Sequence, residues 1–266
     1  MVRIGVHIDQ ADPLAEATAR GADAVQFFLG DPQGWKGPVI PGDPAELKAS
    51  FAAAGVDAYI HAPYVVNVAT TNNRIRIPSR KILTQQLEAA ASIGAKGLIV
   101  HGGHVNNGVD PAEGYANWQK VMERVERPIP LLIENTAGGT NAMARTLDAI
   151  GRLWDAVTAG VADGSGEVGF CRDTCHAYSA GLDLSDVVDK IKAITGRIDL
   201  VHCNNSRDDF GSGRDRHANL TSGTIDPEQI LGVVRAAGAP AMLETPDTDG
   251  SLAADVRYLR EHLAAS

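Results

Sequence analysis

The chain has 266 residues, with 24 Lys and Arg against 33 Asp and Glu, and a formal charge of −9. With 44 % apolar and 21 % charged residues it is not a disordered chain, and no run approaches the roughly 18 apolar residues of a membrane span. Three cysteines exclude a disulfide framework and predict a reducing, cytoplasmic setting.

Met1-Val2-Arg3-Ile4-Gly5 enters a strand-like pattern with no signal-peptide core. Taken alone, the acidic balance argues against non-specific nucleic-acid binding through a basic face. Val2–Ile8 reads as a strand, followed by an Ala-rich helix at Pro13–Arg20. Ala24–Leu29 precedes Pro44–Ala54, and Ala58–His61 precedes Ser79–Ile93, with Pro78 as its first helical residue. Gly97–His101 leads to Pro111–Glu126, Ile129–Glu134 to Asn141–Ala159, and Val168–Asp173 to Leu184–Thr195. Ile198–His202 leads to Pro227–Ala237, and Ala241–Glu244 to Ser251–Leu263. Gly21-Ala22-Asp23 and Gly55-Val56-Asp57 stop helices ahead of the next strand. Continuous apolar runs such as Pro130-Leu131-Leu132-Ile133 predict strands buried on both faces.

Eight strand–helix units predict an α/β fold, a (β/α)8 TIM barrel forming one domain over residues 1–266. The competing doubly wound sheet would usually carry a Gly-rich dinucleotide loop after its first strand, and none is there. No linker or composition shift marks a second domain.

The strand ends carry the chemistry. His61, His101, Glu134, Asp173, His202 and Glu244 close the third to eighth strands, positions that converge on the C-terminal face of a barrel, where its active sites lie. Charge buried there is costly unless paired or metal-bound. Repulsion among Glu134, Asp173 and Glu244 is expected to raise their pKa values unless cations neutralise them. His176 follows Asp173 at i+3, while Asp215 and His217 flank Arg216 and share one side of the chain if that segment is extended. Five His and four carboxylates without a thiolate form a donor set for Zn²⁺ or Mn²⁺, and nine ligands with shared carboxylates fit two or three ions. His7 ends the first strand at the same rim, where it stands behind the ligands. His262 reads as a solvated helix residue, and Cys171, Cys175 and Cys203 as reduced, half-buried thiols.

Together these segments resemble the endonuclease IV family, zinc-dependent apurinic/apyrimidinic endonucleases on a xylose-isomerase-like barrel. The resemblance rests on His61-Ala62-Pro63-Tyr64, His101-Gly102-Gly103-His104, Glu134-Asn135-Thr136-Ala137-Gly138 and Asp173-Thr174-Cys175-His176-Ala177. It continues in His202-Cys203-Asn204-Asn205-Ser206, Gly213-Arg214-Asp215-Arg216-His217 and Leu243-Glu244-Thr245-Pro246, and so covers nearly the whole chain. The resemblance implies a first zinc on His61, His101 and Glu134. A second would take Glu134, Asp173, His202 and Glu244, and a third His176, Asp215 and His217. Glu134, Asp173 and Glu244 are then the catalytic carboxylates, with Mn²⁺ as an alternative to Zn²⁺ at one or more sites.

The implied reaction is metal-assisted hydrolysis of the phosphodiester 5′ to an abasic nucleotide in double-stranded DNA. It leaves a 3′-hydroxyl and a 5′-deoxyribose phosphate, and extends to repair of blocked 3′ ends. Three divalent ions would cancel six of the nine excess negative charges, so the acidic balance does not exclude DNA. The expectation is a monomer in the cytoplasm, associated with the nucleoid when acting on DNA.

Three departures from the family pattern stand out. His-Gly-Gly-His is one residue shorter than the usual segment, so either His101 or His104 can be the ligand, with His101 directly after the strand. Asn205 replaces a usual Asp, which is expected to weaken the orientation of a zinc-bound His. The loop Asp31-Pro32-Gln33-Gly34-Trp35-Lys36 lacks an Arg that some members insert beside the lesion.

Trp35, Tyr64 and Val65 are the candidates for entering the base stack, which costs least where a base is already missing; ordinary rim packing is the alternative. Arg207, Arg214 and Arg216 suit phosphate contacts or plain solvated loop charges. Asn67 and Arg74 are further candidates in the loop after the third strand. A sugar isomerase or epimerase is the competing function on the same fold, but it needs no third-metal pair such as Asp215 and His217. A catalytically dead barrel binding DNA or protein would be expected to have lost ligands, and none is lost.

Overall fold

The structure, a computed structural model, describes residues 2–159, 161 and 166–264. The first half contains β1 (Ile4–His7), α1 (Pro13–Arg20), β2 (Ala24–Phe28), α2 (Pro44–Ala54), β3 (Asp57–His61), α3 (Asn73–Ser92), β4 (Leu98–His101), α4 (Pro111–Met122) and β5 (Leu131–Glu134). The second contains α5 (Leu147–Ala159), β6 (Val168–Asp173), α6 (Thr174–Ser179), α7 (Val187–Thr195), β7 (Leu200–His202), β8 (Asn205–Ser206), β9 (His217–Ala218), α8 (Pro227–Ala237), β10 (Ala241–Leu243) and α9 (Ser251–Ala264). Among the described residues, eight parallel strands close a barrel in the order β1-β10-β7-β6-β5-β4-β3-β2, and β8 and β9 form a separate antiparallel ribbon.

An Asp-Pro pair starts four of the helices. The carboxylates of Asp12, Asp43, Asp110 and Asp226 accept from first-turn amides, while Pro13, Pro44, Pro111 and Pro227 sit where no amide hydrogen is needed. Left-handed Gly21 and Gly55 close α1 and α2, as the Gly-x-Asp pattern predicts.

The helix expected from Leu184 begins at Val187, an unexpected short helix, α6, follows β6 directly, and two further helix starts differ by several residues. α3 begins at Asn73, before Pro78, which lies inside the helix. The Asn72 side chain caps the Arg74 amide, and the Arg76 guanidinium grips Asn73 and Asn117, so the first turn forms ahead of the proline. α5 begins at Leu147 rather than Asn141, because the preceding backbone is used elsewhere: Ala142 pairs with His104, the Met143 amide bonds the Gly103 carbonyl, and the Ala144 carbonyl accepts from Thr136.

Strand alternation sorts the core into two layers. Ala24, Tyr59, Ile99, Leu132, Cys171, Leu200 and Met242 fill the barrel, while Phe27, Ile60, Val100, Ile133, Phe170 and Val201 pack outward against the helices. Arg172 alternates with Cys171 and so falls on the outer side with Phe170. The register puts His101 beside Glu134 and Asp173 beside His202 at the C-terminal end, which levels the candidate ligands.

Candidate metal centre

Glu134 is the hub. It is fully buried, with Oε2 at 3.1 Å from His61 Nε2 and 3.2 Å from His101 Nε2. Its Oε1 lies 3.0 Å from His202 Nδ1 and 3.2 Å from His176 Nδ1. Among the described residues four groups have their ligand atoms within 4.8 Å of one another: His61, His101 and Glu134; Glu134, Asp173, His202 and Glu244, which shares Glu134 with the first; His176, Asp215 and His217; and Asp173, Cys175 and His217, which links the second to the third. All nine residues singled out from the sequence are therefore brought together.

The third group depends on a close backbone approach. A Cβ on Gly138 would collide with the Gly213 carbonyl oxygen, so only glycine lets the loop after β5 pack against the segment carrying Asp215. That segment turns Asp215 and His217 toward His176 and sends Arg216 the other way, onto Asp208.

The histidines are oriented by acceptors on their far side. Nδ1 of His61, His176 and His217 faces the carbonyls of Ala62, Asn135 and Glu244 at 2.7, 2.9 and 3.3 Å. A carbonyl only accepts, so each Nδ1 carries a proton, and in the neutral ring each Nε2 is left bare. Nε2 of His176 and of His217 is buried without a hydrogen-bond partner among the described residues, although each lies 3.1 Å from Asp215 Oδ1. Two donors on one tetrahedral ion, each about 2.0–2.2 Å from it, stand about 3.3 Å apart. The orphaned nitrogens, the acceptor-only carboxylate and their spacing fit a divalent cation.

Without an ion, protons serve instead. Glu134 and Glu244, expected to be raised by mutual repulsion unless cations neutralise them, are both lowered, with protonated imidazoles as the neutralising cations. Burial pushes each carboxyl up, but for Glu134 the His202 and His101 charges outweigh it, and for Glu244 a pull led by the His202 charge does. Burial likewise pulls His217 down, yet Asp215, Asp173 and Glu244 raise it to about 9. His176 is raised well above its usual value by Asp173 and Asp215 against burial. His61 goes the other way, because burial exceeds the pull of Glu134.

Three supporting side chains were not singled out as supports of the centre. Asn204 donates to Asp173 Oδ2 at 2.7 Å and Glu244 Oε2 at 3.2 Å while accepting from the Glu244 amide. Asn135 clasps the Asp173 backbone through both ends of its amide. Gln26, fully buried, contacts His202, Glu244 and His7. Its sequence signal is a lone amide inside Ala24-Val25-Gln26-Phe27-Phe28.

The open alternatives now resolve in geometric terms. His101 joins the centre, whereas exposed His104 is held by Asn67 away from it. Asn205 points elsewhere: its amide donates to the Leu220 and Ile225 carbonyls and accepts from the Ser206 and Ile225 amides. The expected link from Asn205 to a ligand histidine is absent, because these four bonds staple the loop after β7. His7 sits 3.4 Å from Glu244, behind it. His262 is partly buried and stacked on Tyr258 rather than fully solvated. The three cysteines are fully buried, not half-buried, and burial pushes the Cys171 and Cys175 thiols up to about 12.

Tyr64 stands over the centre, 55 % exposed, with its ring stacked on His101. Val65 beside it is half-buried, and Trp35 is 46 % exposed in the loop after β2. Arg216 forks onto buried Asp208, which Arg214 also touches, and Arg207 bonds the His217 carbonyl. Arg74 is exposed.

A model of the xylose isomerase-like TIM barrel family matches residues 14–262. A protein of Mycobacterium bovis (strain BCG / Pasteur 1173P2) named "Probable endonuclease 4" is 55 % identical over 258 residues, spanning 97 % of this chain and 98 % of its own. The chain belongs to the endonuclease IV family. Endonuclease IV from Thermus thermophilus superposes with a TM-score of 0.82 at 32 % identity, over 99 % of this chain and 100 % of that one. A D-tagatose 3-epimerase-like protein reaches a TM-score of 0.78 over 99 % and 97 % of the two chains, but at 17 % identity the likeness shows the fold alone. This member of the endonuclease IV family is a metal-dependent DNA endonuclease. Among the described residues, no helix is long and apolar enough to cross a membrane.

Proposed function

We propose that the protein cleaves double-stranded DNA on the 5′ side of abasic sites, leaving a 3′-hydroxyl and a 5′-deoxyribose phosphate, and that it also clears blocked 3′ ends. The observation that carries this reading is the group His176, Asp215 and His217 added to two groups already joined through Glu134. An isomerase on this fold needs no such third group. His61, His101 and Glu134 would hold one Zn²⁺; Glu134, Asp173, His202 and Glu244 a second; His176, Asp215 and His217 a third, with Mn²⁺ as the alternative at one or more sites. Bound divalent ions supply Lewis acidity toward a phosphate and a strong nucleophile at neutral pH.

The chain's own side chains do the rest. Glu134, Asp173 and Glu244 would act as the catalytic carboxylates by holding the cations, with Glu134 common to two of the groups. Tyr64, Val65 and Trp35 enter the base stack beside the lesion, an unstacking that costs least where a base is missing. The exposed edge of Arg216, braced by Asp208, meets backbone phosphate. The reading includes a single domain over residues 1–266 acting as a monomer, in the cytoplasm and at the nucleoid. The test is a duplex with one abasic analogue: a single nick 5′ to it supports the reading, and an intact duplex with metal-loaded protein overturns it.

A further inference from the structure

We propose that Gln26 is a positioning residue that decides which nitrogen of His202 meets a cation. The inference rests on the reading of Glu134, Asp173, His202 and Glu244 as ion ligands. Gln26 lies on β2 with no solvent exposure, and its amide touches three groups. Nε2 is 2.6 Å from Glu244 Oε1 and 2.9 Å from His7 Nδ1, while Oε1 is 2.8 Å from His202 Nε2.

The orientation of this amide is forced. An ionised carboxylate only accepts, so the NH2 end must face Glu244 and the oxygen must face His202. An amide oxygen only accepts too, so His202 Nε2 must carry a hydrogen. In the neutral ring Nδ1 is then bare. That bare nitrogen faces Glu134 Oε1 at 3.0 Å and Glu244 Oε2 at 3.2 Å. His61, His176 and His217 show the opposite arrangement, with Nδ1 bonded to backbone carbonyls and Nε2 turned to Glu134 in His61 and to Asp215 in the other two, although His176 Nδ1 also lies 3.2 Å from Glu134 Oε1. His202 therefore differs from these three in presenting Nδ1, and a side chain, not the backbone, sets this. The same amide braces Glu244, so one residue orients two ligands of the group that contains Glu134.

The experiment uses full-length, Zn²⁺-loaded protein and two variants. Gln26→Met removes both ends of the amide. Gln26→Glu keeps an oxygen toward His202 but sets an acceptor against Glu244. Zn²⁺ per chain is followed during dialysis against graded chelator, and imidazole tautomers are read from long-range ¹H–¹⁵N spectra. The expected result for Gln26→Met is about 10–100-fold weaker retention of one ion per chain, together with loss of the Nε2–H signature of His202. Gln26→Glu is expected to keep that signature and still release one ion more readily.

Wild-type retention in Gln26→Met, or loss of the signature in both variants alike, overturns the proposal. If Gln26→Met does not fold, the tautomer and retention in Gln26→Glu decide alone. A wild-type protein that holds its ions but leaves abasic DNA intact counts against the proposed function without touching the Gln26 comparison.

Discussion

Nε2 of His176 stands 3.1 Å from Oδ1 of Asp215 without hydrogen-bond geometry between them, while its Nδ1 bonds the Asn135 carbonyl at 2.9 Å, so in the neutral ring that Nε2 is a bare lone pair. A lone pair beside a carboxylate is unfavourable unless something positive lies in reach of both. His217 repeats the arrangement on the same oxygen. The centre is thus built for cations, and protons are its fallback.

That fallback fixes a pH dependence. In chelated protein His217 is raised to about 9 and His176 well above its usual value. A folded pKa above the unfolded one, about 6.5, contributes stability fully present below the unfolded value and lost as pH rises through the folded value. Chelated protein is therefore expected to lose stability from about pH 6.5 to 9. The lowered carboxyls Glu134, Glu244 and Asp215 act only at acid pH, outside this window. Metal competes with protons for the same nitrogens, so loading strengthens as pH rises. Melting curves of chelated and Zn²⁺-loaded protein at pH 6, 7.5 and 9 should show a widening gap. A gap that narrows toward pH 9 contradicts the account.

The hub gives the sharpest substitution. Glu134→Gln keeps the shape but removes the charge shared by four imidazoles, and cleavage is expected to fall by at least about 100-fold with the far-UV spectrum unchanged. Near-normal turnover would remove Glu134 from the mechanism.

His101 and His104 separate just as simply. His101→Ala should lose at least one bound ion and about 100-fold or more in activity. His104→Ala, at an exposed position held by Asn67, should stay within about twofold of wild type. Elemental analysis and nicking assays on the pair decide it, and the reverse pattern would reassign the ligand.

Arg172 is a stability liability away from the site. Its guanidinium is fully buried, none of its three nitrogens has a hydrogen-bond partner among the described residues, and burial lowers its pKa to about 10. Methionine fills a similar volume without donors. Arg172→Met is expected to stabilise the protein by about 1–3 kcal/mol, measured by denaturant unfolding of both metal-loaded proteins. A destabilised variant would mean that the guanidinium holds something in place.

Residue types made the barrel and its rim legible beforehand. Strand-terminal His61, His101, Glu134, Asp173, His202 and Glu244 carry their meaning in position alone, because a parallel barrel gathers strand ends. The start of α3 was hidden because Pro78 usually opens a helix, and here Asn72 and Arg76 build a turn ahead of it. That the imidazoles touching Glu134 and Glu244 can themselves be the neutralising cations follows only from the distances between them. The role of Asn205 was hidden because a family's usual Asp at that position says nothing of which way this amide points. Gln26 is far from its partners in sequence, so only the closed barrel reveals that it meets His202 and Glu244.

The most direct test of the central claim is the metal content of protein purified without chelator, paired with cleavage of a duplex carrying one abasic analogue. The account predicts three divalent ions per chain and a single nick 5′ to the lesion. One or two ions with no nick would contradict it and turn the search toward ketose substrates.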